Sequence, residues 1–247
     1  MFLTLLMAVP ASAAELVEQF DRFEINWSTL RLRYYGEAGG MSQASPPQSF
    51  RELEQGAWQE GLTYASRNLP DFYQQRIHGN RQQAAAAADR VTRSTYSYNT
   101  IYFADGSVRV MLENLLPRTL GDAGANFSRT ATPATDHLDR TGVIVRVKGA
   151  SKPSAIYQLV GEGDGRVLFS IKDVAEEAFR QNLMGRWFRQ DAKSQQLREV
   201  VGEGAIELAA TFVDNGIFAV NPDEWQAAVS GYEELLQASR VALILAD

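Results

Sequence analysis

The chain has 247 residues, a formal net charge of −6 and an apolar share of 45%. Together these exclude disorder over the whole length. They also exclude a nucleic-acid partner unless arginine pairs such as Arg31/Arg33 or Arg186/Arg189 gather into a basic face. It contains no cysteine, which excludes disulfides, thiolate metal sites, a cysteine nucleophile and lipidation through an acylated cysteine.

Phe2 to Val9 is an apolar run of signal-peptide length, too short to span a bilayer. Ala11-Ser12-Ala13 then gives the small-x-small spacing that signal peptidase accepts. Residues 1–13 therefore read as a signal peptide cleaved before Ala14, and the expected location is periplasmic or secreted. No Lys or Arg precedes Phe2, where export signals carry positive charge. A start codon further upstream accounts for that, and a buried apolar N-terminus is the alternative. No later segment reads as a transmembrane helix, since Val241 to Leu245 is apolar but short.

Phe23 to Tyr35 is rich in β-branched and aromatic residues, with Leu30, Leu32 and Tyr34 alternating with Arg31 and Arg33. That alternation predicts one strand with a buried and a solvated face. Gly39-Gly40 and Pro46-Pro47 mark a loop. Ser49 and Glu52 have capping-box spacing and open a helix whose apolar stripe is Phe50, Leu53, Ala57, Gly61 and Ala65, with Pro70 ending or kinking it. A second helix is expected over Arg81 to Arg90, where an alanine run bracketed by charged residues suits close packing on the first, with a low-complexity linker as the alternative. Two strands around Asp105-Gly106 then form a hairpin, with Val108, Val110 and Leu112 alternating with Arg109, Met111 and Glu113. The first half reads β-α-α-β-β over 14–120.

Residues 121–140 are polar and weakly patterned, and read as a linker or long loop. The second half, 141–247, opens with a strand at Thr141 to Val147. Two more follow at Ala155–Val160 and Val167–Ile171, joined by the glycine-rich acidic run Gly161 to Gly165. A helix is expected from Asp173, with Val174, Ala178, Phe179, Leu183, Trp187 and Phe188 as its stripe. A hairpin around Asp214-Asn215-Gly216 comes next. Asn221-Pro222-Asp223-Glu224 then starts a helix with a capping residue, proline in the first turn and acids on the dipole. The apolar strand Val241 to Leu245 should lie in the middle of a sheet. The expected fold class is α+β, two small domains, each an antiparallel or mixed sheet with helices on one face.

Catalytic signals are weak. His78 and His137 have no ligand partner at metal-site spacing and read as exposed. The run Gly161 to Gly165 lacks the Lys-Ser/Thr of a phosphate loop and the ligand series of a calcium loop, so it reads as a hairpin turn. The acids Asp173, Glu176 and Glu177, and Asp223, Glu224, Glu233 and Glu234, fall at helix starts or on helix faces. Acid–base catalysis needs carboxylates that converge in a cleft instead. No catalytic, cofactor or metal residue is expected. Trp27, Arg31, Arg33, Tyr34 and Tyr35 form the candidate interaction surface. This arginine and aromatic cluster suits a protein interface or stacking on a glycan, and a half-buried strand with exposed arginines is the plainer alternative.

The text TGVIVRVKGASKPSAIYQLVGEGDGRVLFS, then EGAIELAATF and SRVALILAD, with the hairpin YFADGSVRVML after the alanine-rich helix, resembles bacterial outer-membrane and flagellar accessory proteins. These are the small basal-disk-type lipoproteins and the flagellar H-ring assembly protein T. The chain departs from them in lacking a lipidated cysteine and in having Val147-Lys148-Gly149-Ala150 where an Asp-Ala-Arg-Gly run is expected. The resemblance implies a non-enzymatic, outer-membrane-associated assembly component. Its expected partners are envelope proteins, as a homo-oligomer or within a larger machine, with a glycan- or peptidoglycan-binding module as the alternative and an envelope hydrolase last.

Overall fold

A computed structural model of the chain describes residues 15–40, 49–76, 81–120, 127, 140–149 and 152–246. The signal-peptide reading, His78, His137 and most of the 121–140 segment lie outside these residues. The architecture is α+β: two sheets, each with helices packed on it.

The first sheet has the order β1-β2-β3-β5-β4 and is antiparallel throughout. Its strands are β1 (Val17–Gln19), β2 (Phe23–Asn26), β3 (Arg31–Ala38), β4 (Tyr96–Tyr102) and β5 (Val108–Leu115). Between β3 and β4 the chain forms α1 (Phe50–Arg76) and α2 (Arg81–Ser94), and after β5 the short α3 (Leu116–Leu120). The first half is thus β-β-β-α-α-β-β, with two more strands than the sequence pattern predicts.

One extra strand arises because Phe23 to Tyr35 is not one strand but a hairpin. Asn26 makes the turn: its Oδ1 accepts from the backbone N–H of Ser28 at 3.1 Å and of Thr29 at 3.0 Å. Leu30 completes it in the left-handed region, with φ of 57°. Asparagine turn chemistry therefore overrides the β-rich composition.

The capping box at the start of α1 is formed in both directions, with Ser49 N to Glu52 Oε2 at 2.8 Å and Glu52 N to Ser49 Oγ at 3.3 Å. Leu53, Ala57, Gly61, Ala65 and Leu69 are buried along one stripe, but Phe50 is exposed at the helix start. Pro70 sits inside α1 and does not end it. Ala84, Ala87, Ala88 and Val91 of α2 are buried, the narrow face expected of the alanine run.

The second sheet is mixed, with order β8-β7-β11-β10-β6-β12-β9. Its strands are β6 (Gly142–Lys148), β7 (Gln158–Gly161), β8 (Val167–Phe169), β9 (Arg186–Arg189), β10 (Ala205–Asp214), β11 (Ile217–Val220) and β12 (Val241–Ala246). Strand β12 lies between β6 and β9 and is parallel to both, the central place its apolar sequence predicts. Among the described residues this half carries four α-helices, α4 (Glu176–Asn182), α5 (Ser194–Val201), α6 (Pro222–Val229) and α7 (Glu233–Gln237), and a 3-10 turn at Ile171–Asp173. Asn221 caps α6 as expected, accepting from Asp223 N at 2.9 Å and Glu224 N at 3.2 Å. Helix α5 packs Leu197 and Val201 on Phe188, Ala242 and Ile244, on the face away from the main core.

Trp187 and Phe188 are core residues, but they sit on β9, not on a helix continuing from Asp173. The helix stops at Asn182. Gly185, with φ of 149°, carries the chain so close to β12 that an added Cβ would lie 2.6 Å from the Val241 carbonyl oxygen. Both faces of β9 are covered, so consecutive residues 187 and 188 are buried and by coincidence extend the helical stripe.

The two sheets meet across a buried seam. Glu15 bridges Phe188, and Trp187 N donates to the Trp27 carbonyl at 3.3 Å. Ser28 Oγ donates to the Trp187 carbonyl at 2.7 Å, and Trp187 Nε1 to the Ser154 carbonyl at 2.8 Å.

Candidate interaction surface

Helices α1 and α2 cover one face of the first sheet, and alternation along β3 decides which side chains reach the other. Leu32, Tyr34 and Gly36 point toward the helices, while Arg31, Arg33, Tyr35 and Glu37 point away. Register supplies the neighbours: Arg33 lies between Glu24 of β2 and Glu113 of β5, and Glu37 lies beside Arg109.

Trp27 and Tyr34 are therefore not part of a surface. Trp27, in the β2–β3 turn, is fully buried and donates Nε1 to Glu18 Oε2 at 2.8 Å. Tyr34 faces the helices, where its hydroxyl meets Thr95 Oγ1 at 2.5 Å and burial pushes its pKa up to about 12. Arg31, Arg33 and Tyr35 do share the outer face.

Glu113 is the hub. Its side chain is only 2% exposed although it lies on the helix-free face, because Arg31, Arg33 and Tyr96 close over it. Arg33 Nε reaches Oε2 at 2.7 Å, and Arg31 Nη1 and the Tyr96 hydroxyl both donate to Oε1. Burial alone would push the Glu113 carboxyl up. The bonds from Tyr96 and Arg33 and the charges of both arginines outweigh it and hold the carboxyl below its ordinary value. The Tyr98 ring centroid lies 5.2 Å from the Arg33 guanidinium, and Glu24 Oε1 is 3.5 Å from Arg33 Nη1.

A second group continues the pattern. The Arg109 guanidinium sits 4.3 Å from the Tyr35 ring centroid and 5.2 Å from that of Phe103, with Nε bonded to Glu37 Oε1 at 2.6 Å. Around the sheet edge, Arg22 lies over the rings of Tyr35 and Tyr64 and bonds Glu60 at 2.8 Å. The face is a lattice in which guanidinium groups alternate with aromatic rings and carboxylates. An ionised carboxylate already holding three donors is a poor proton acceptor, and arginine does not deprotonate, so the lattice is suited to contact and not to proton transfer. Its guanidinium and ring faces are held in place by these contacts.

The sequence pattern shows the alternation of Arg109, Met111 and Glu113, but not the register that sets Glu113 against Arg33. Tyr96, Tyr98, Phe103, Arg109 and Glu113 thus enter the surface only through the pairing of β3, β4 and β5.

The other candidate groups stay apart. Asp164 Oδ1 accepts from Arg166 N at 3.0 Å within the turn over Gly161 to Gly165, so this run closes the β7–β8 hairpin as expected. Asp173 caps Ser170, with Ser170 N donating to its Oδ2 at 2.7 Å, and Glu176 pairs with Arg180. Among the described residues no three His, Asp or Glu side chains gather as a metal site, and no helix is long and apolar enough to cross a membrane. No family model matches the chain, and no curated protein matches it.

Proposed function

We propose that this chain is a non-catalytic protein of the bacterial cell envelope, exported to the periplasm, that acts as an assembly or scaffold component of a periplasmic or outer-membrane complex. The observation that carries this reading is the face of the first sheet turned away from α1, where Arg33 and Arg109 are held between aromatic rings and carboxylates and Arg31 bonds Glu113. Tyr and Arg side chains fixed in this way dominate protein interfaces, because little side-chain freedom remains to be lost on binding. Export is supported by the Phe2–Val9 run with Ala11-Ser12-Ala13. The likeness of the second half to flagellar and outer-membrane accessory proteins supports an envelope machine, the flagellum among them.

The test is complementation of a deletion strain, with capture of envelope partners by tagged protein. Arg31→Ala combined with Tyr35→Ala should lose partners and complementation while melting normally, since Arg33 and Tyr96 still hold Glu113. Retention of the same partners by this double variant overturns the reading. Loss of function from His78→Ala or Glu177→Ala in a folded protein would reveal an active site instead.

Exposed rings at Tyr96 and Tyr98 on the same face favour a second reading, a glycan- or peptidoglycan-binding module. Co-sedimentation with insoluble peptidoglycan, lost in Tyr98→Ala, would select it.

A further inference from the structure

We infer that two copies of this chain join edge to edge along β4, antiparallel about a twofold axis near Asn99 and Thr100, to form a continuous ten-stranded sheet. The inference rests on the assembly reading for the use of such a dimer, not for its geometry.

The four sheet edges are unequal. β1 and β8 are three residues long, and β9 is covered by Glu15, Trp27 and Ser28. β4 runs for seven residues, and among the described residues nothing pairs with its outer side. Proteins usually blunt such an edge with charge or proline, because unpaired N–H and C=O groups invite another strand. From Thr95 to Ala104 this chain has neither. A bulge between Ser97 and Asn99 is the one irregularity.

Exposed apolar side chains gather at the same edge. Of the eight large exposed hydrophobics among the described residues, five are Phe50, Tyr96, Tyr98, Tyr102 and Phe103. Tyr96 and Tyr98 lie on the helix-free side. Phe50 packs edge-on against Tyr102 at 5.4 Å on the helix side, so an added strand would be flanked by rings on both faces.

Phe103 N donates to the Ser107 carbonyl at 2.9 Å, which fixes the alternation and turns the Thr100 N–H away from β5. That N–H takes Asn99 Oδ1 at 2.9 Å in place of a strand partner, a contact that an incoming carbonyl would displace.

Charge selects a second copy as the occupant. Exposed Arg93, whose carboxylate neighbour is the equally solvated Asp89 of its own helix, flanks the Tyr96 end of the strand, while Asp105 and Glu54 flank the Tyr102 end. An antiparallel twofold sets Arg93 of each copy against Asp105 of the other. A parallel pairing would set like charges together.

The experiment is sedimentation equilibrium of the full chain over a concentration series. A reversible dimer of twice the monomer mass is expected. Thr100→Pro removes an outward N–H without touching the β5 ladder, and should be monomeric at the same concentrations. Should it unfold by far-UV circular dichroism, Tyr98→Lys, which puts a charge on the edge, should do the same. Arg93→Glu should weaken the dimer, and adding Asp105→Arg should restore it, because the reversed charges face each other across the axis. A native chain that stays monomeric throughout overturns the inference, and so does a dimer that survives both edge variants with the fold intact. Partner capture through Arg31 and Tyr35 is read separately, so failure of one does not entail failure of the other.

Discussion

Gly36 of β3 and Gly61 of α1 meet backbone to backbone. A Cβ added to Gly36 would lie 1.9 Å from the Ala57 carbonyl oxygen and 2.3 Å from Gly61 N. The helix rests on the strand here with no side chain between them.

Gly36→Ala should therefore destabilise by at least the ~1–3 kcal/mol typical of overpacking, because only backbone is there to move. Gly61→Ala should cost less. Its Cβ would meet Leu112 Cδ1 at 2.7 Å, the end of a side chain, and backbone only at 3.0 Å, at Gly36 N, against 1.9 Å for Gly36. Alanine also returns about 1 kcal/mol of helix preference. Urea unfolding of both variants checks this, and equal losses would refute it.

Arg76, the last residue of α1, ties the two halves together. Only 6% exposed, it donates to Glu18 Oε1 at 2.6 Å and to the Pro153 carbonyl at 3.1 Å. Its own carbonyl accepts from Ser154 Oγ at 2.8 Å and Ala155 N at 3.3 Å. Breaking a buried pair costs roughly 3–5 kcal/mol. Arg76→Ala should fall at the low end, since Glu18 keeps its bond from Trp27. The distinctive readout is hydrogen exchange, in which the Ala155 amide should lose protection more than amides in β6. Unchanged Ala155 protection would show that the joint does not depend on Arg76.

Trp187 is fully buried, with its ring 5.6 Å from Phe218 and 6.1 Å from Tyr157, and its N–H on the Ser154 carbonyl. Trp187→Ala should destabilise by about 3–5 kcal/mol, as large aromatic truncations in cores do. Trp187→Phe should recover part of that and leave the Ser154 carbonyl without its donor. A melting midpoint unchanged in the alanine variant would contradict the packing.

The sequence makes local signals legible. Ser49 with Glu52, Asp105-Gly106 and Asn221-Pro222 each carry their structure within a few residues, and each forms as the pattern predicts. The burial of Trp187 is legible too, but its element is not, because a strand covered on both faces mimics a helical stripe. The turn at Asn26 to Leu30 is hidden by apolar neighbours on both sides. The candidate surface is the least legible part, since it depends on which residue of β5 stands beside Arg33. Register is a property of strand pairing that single-chain periodicity does not encode.

Glu113 gives the surface a pH dependence with a definite sign. Its carboxyl is held below the ordinary value of about 4.3 by Tyr96, Arg33 and Arg31, against the opposing push of burial. A carboxylate lowered in the folded state contributes stability that is fully present above the ordinary value. That stability is lost as pH falls through the folded value. Glu113→Gln should therefore be less stable than the native chain at pH 7, and the gap should shrink as pH drops below about 4. Tyr96→Phe removes one of the three donors and should move the loss to higher pH without changing the charge count. Urea unfolding from pH 7 to pH 3 reads all three proteins. A native-to-Glu113→Gln gap that stays constant down to pH 3 would mean that the arginines gain nothing from the ionised carboxylate.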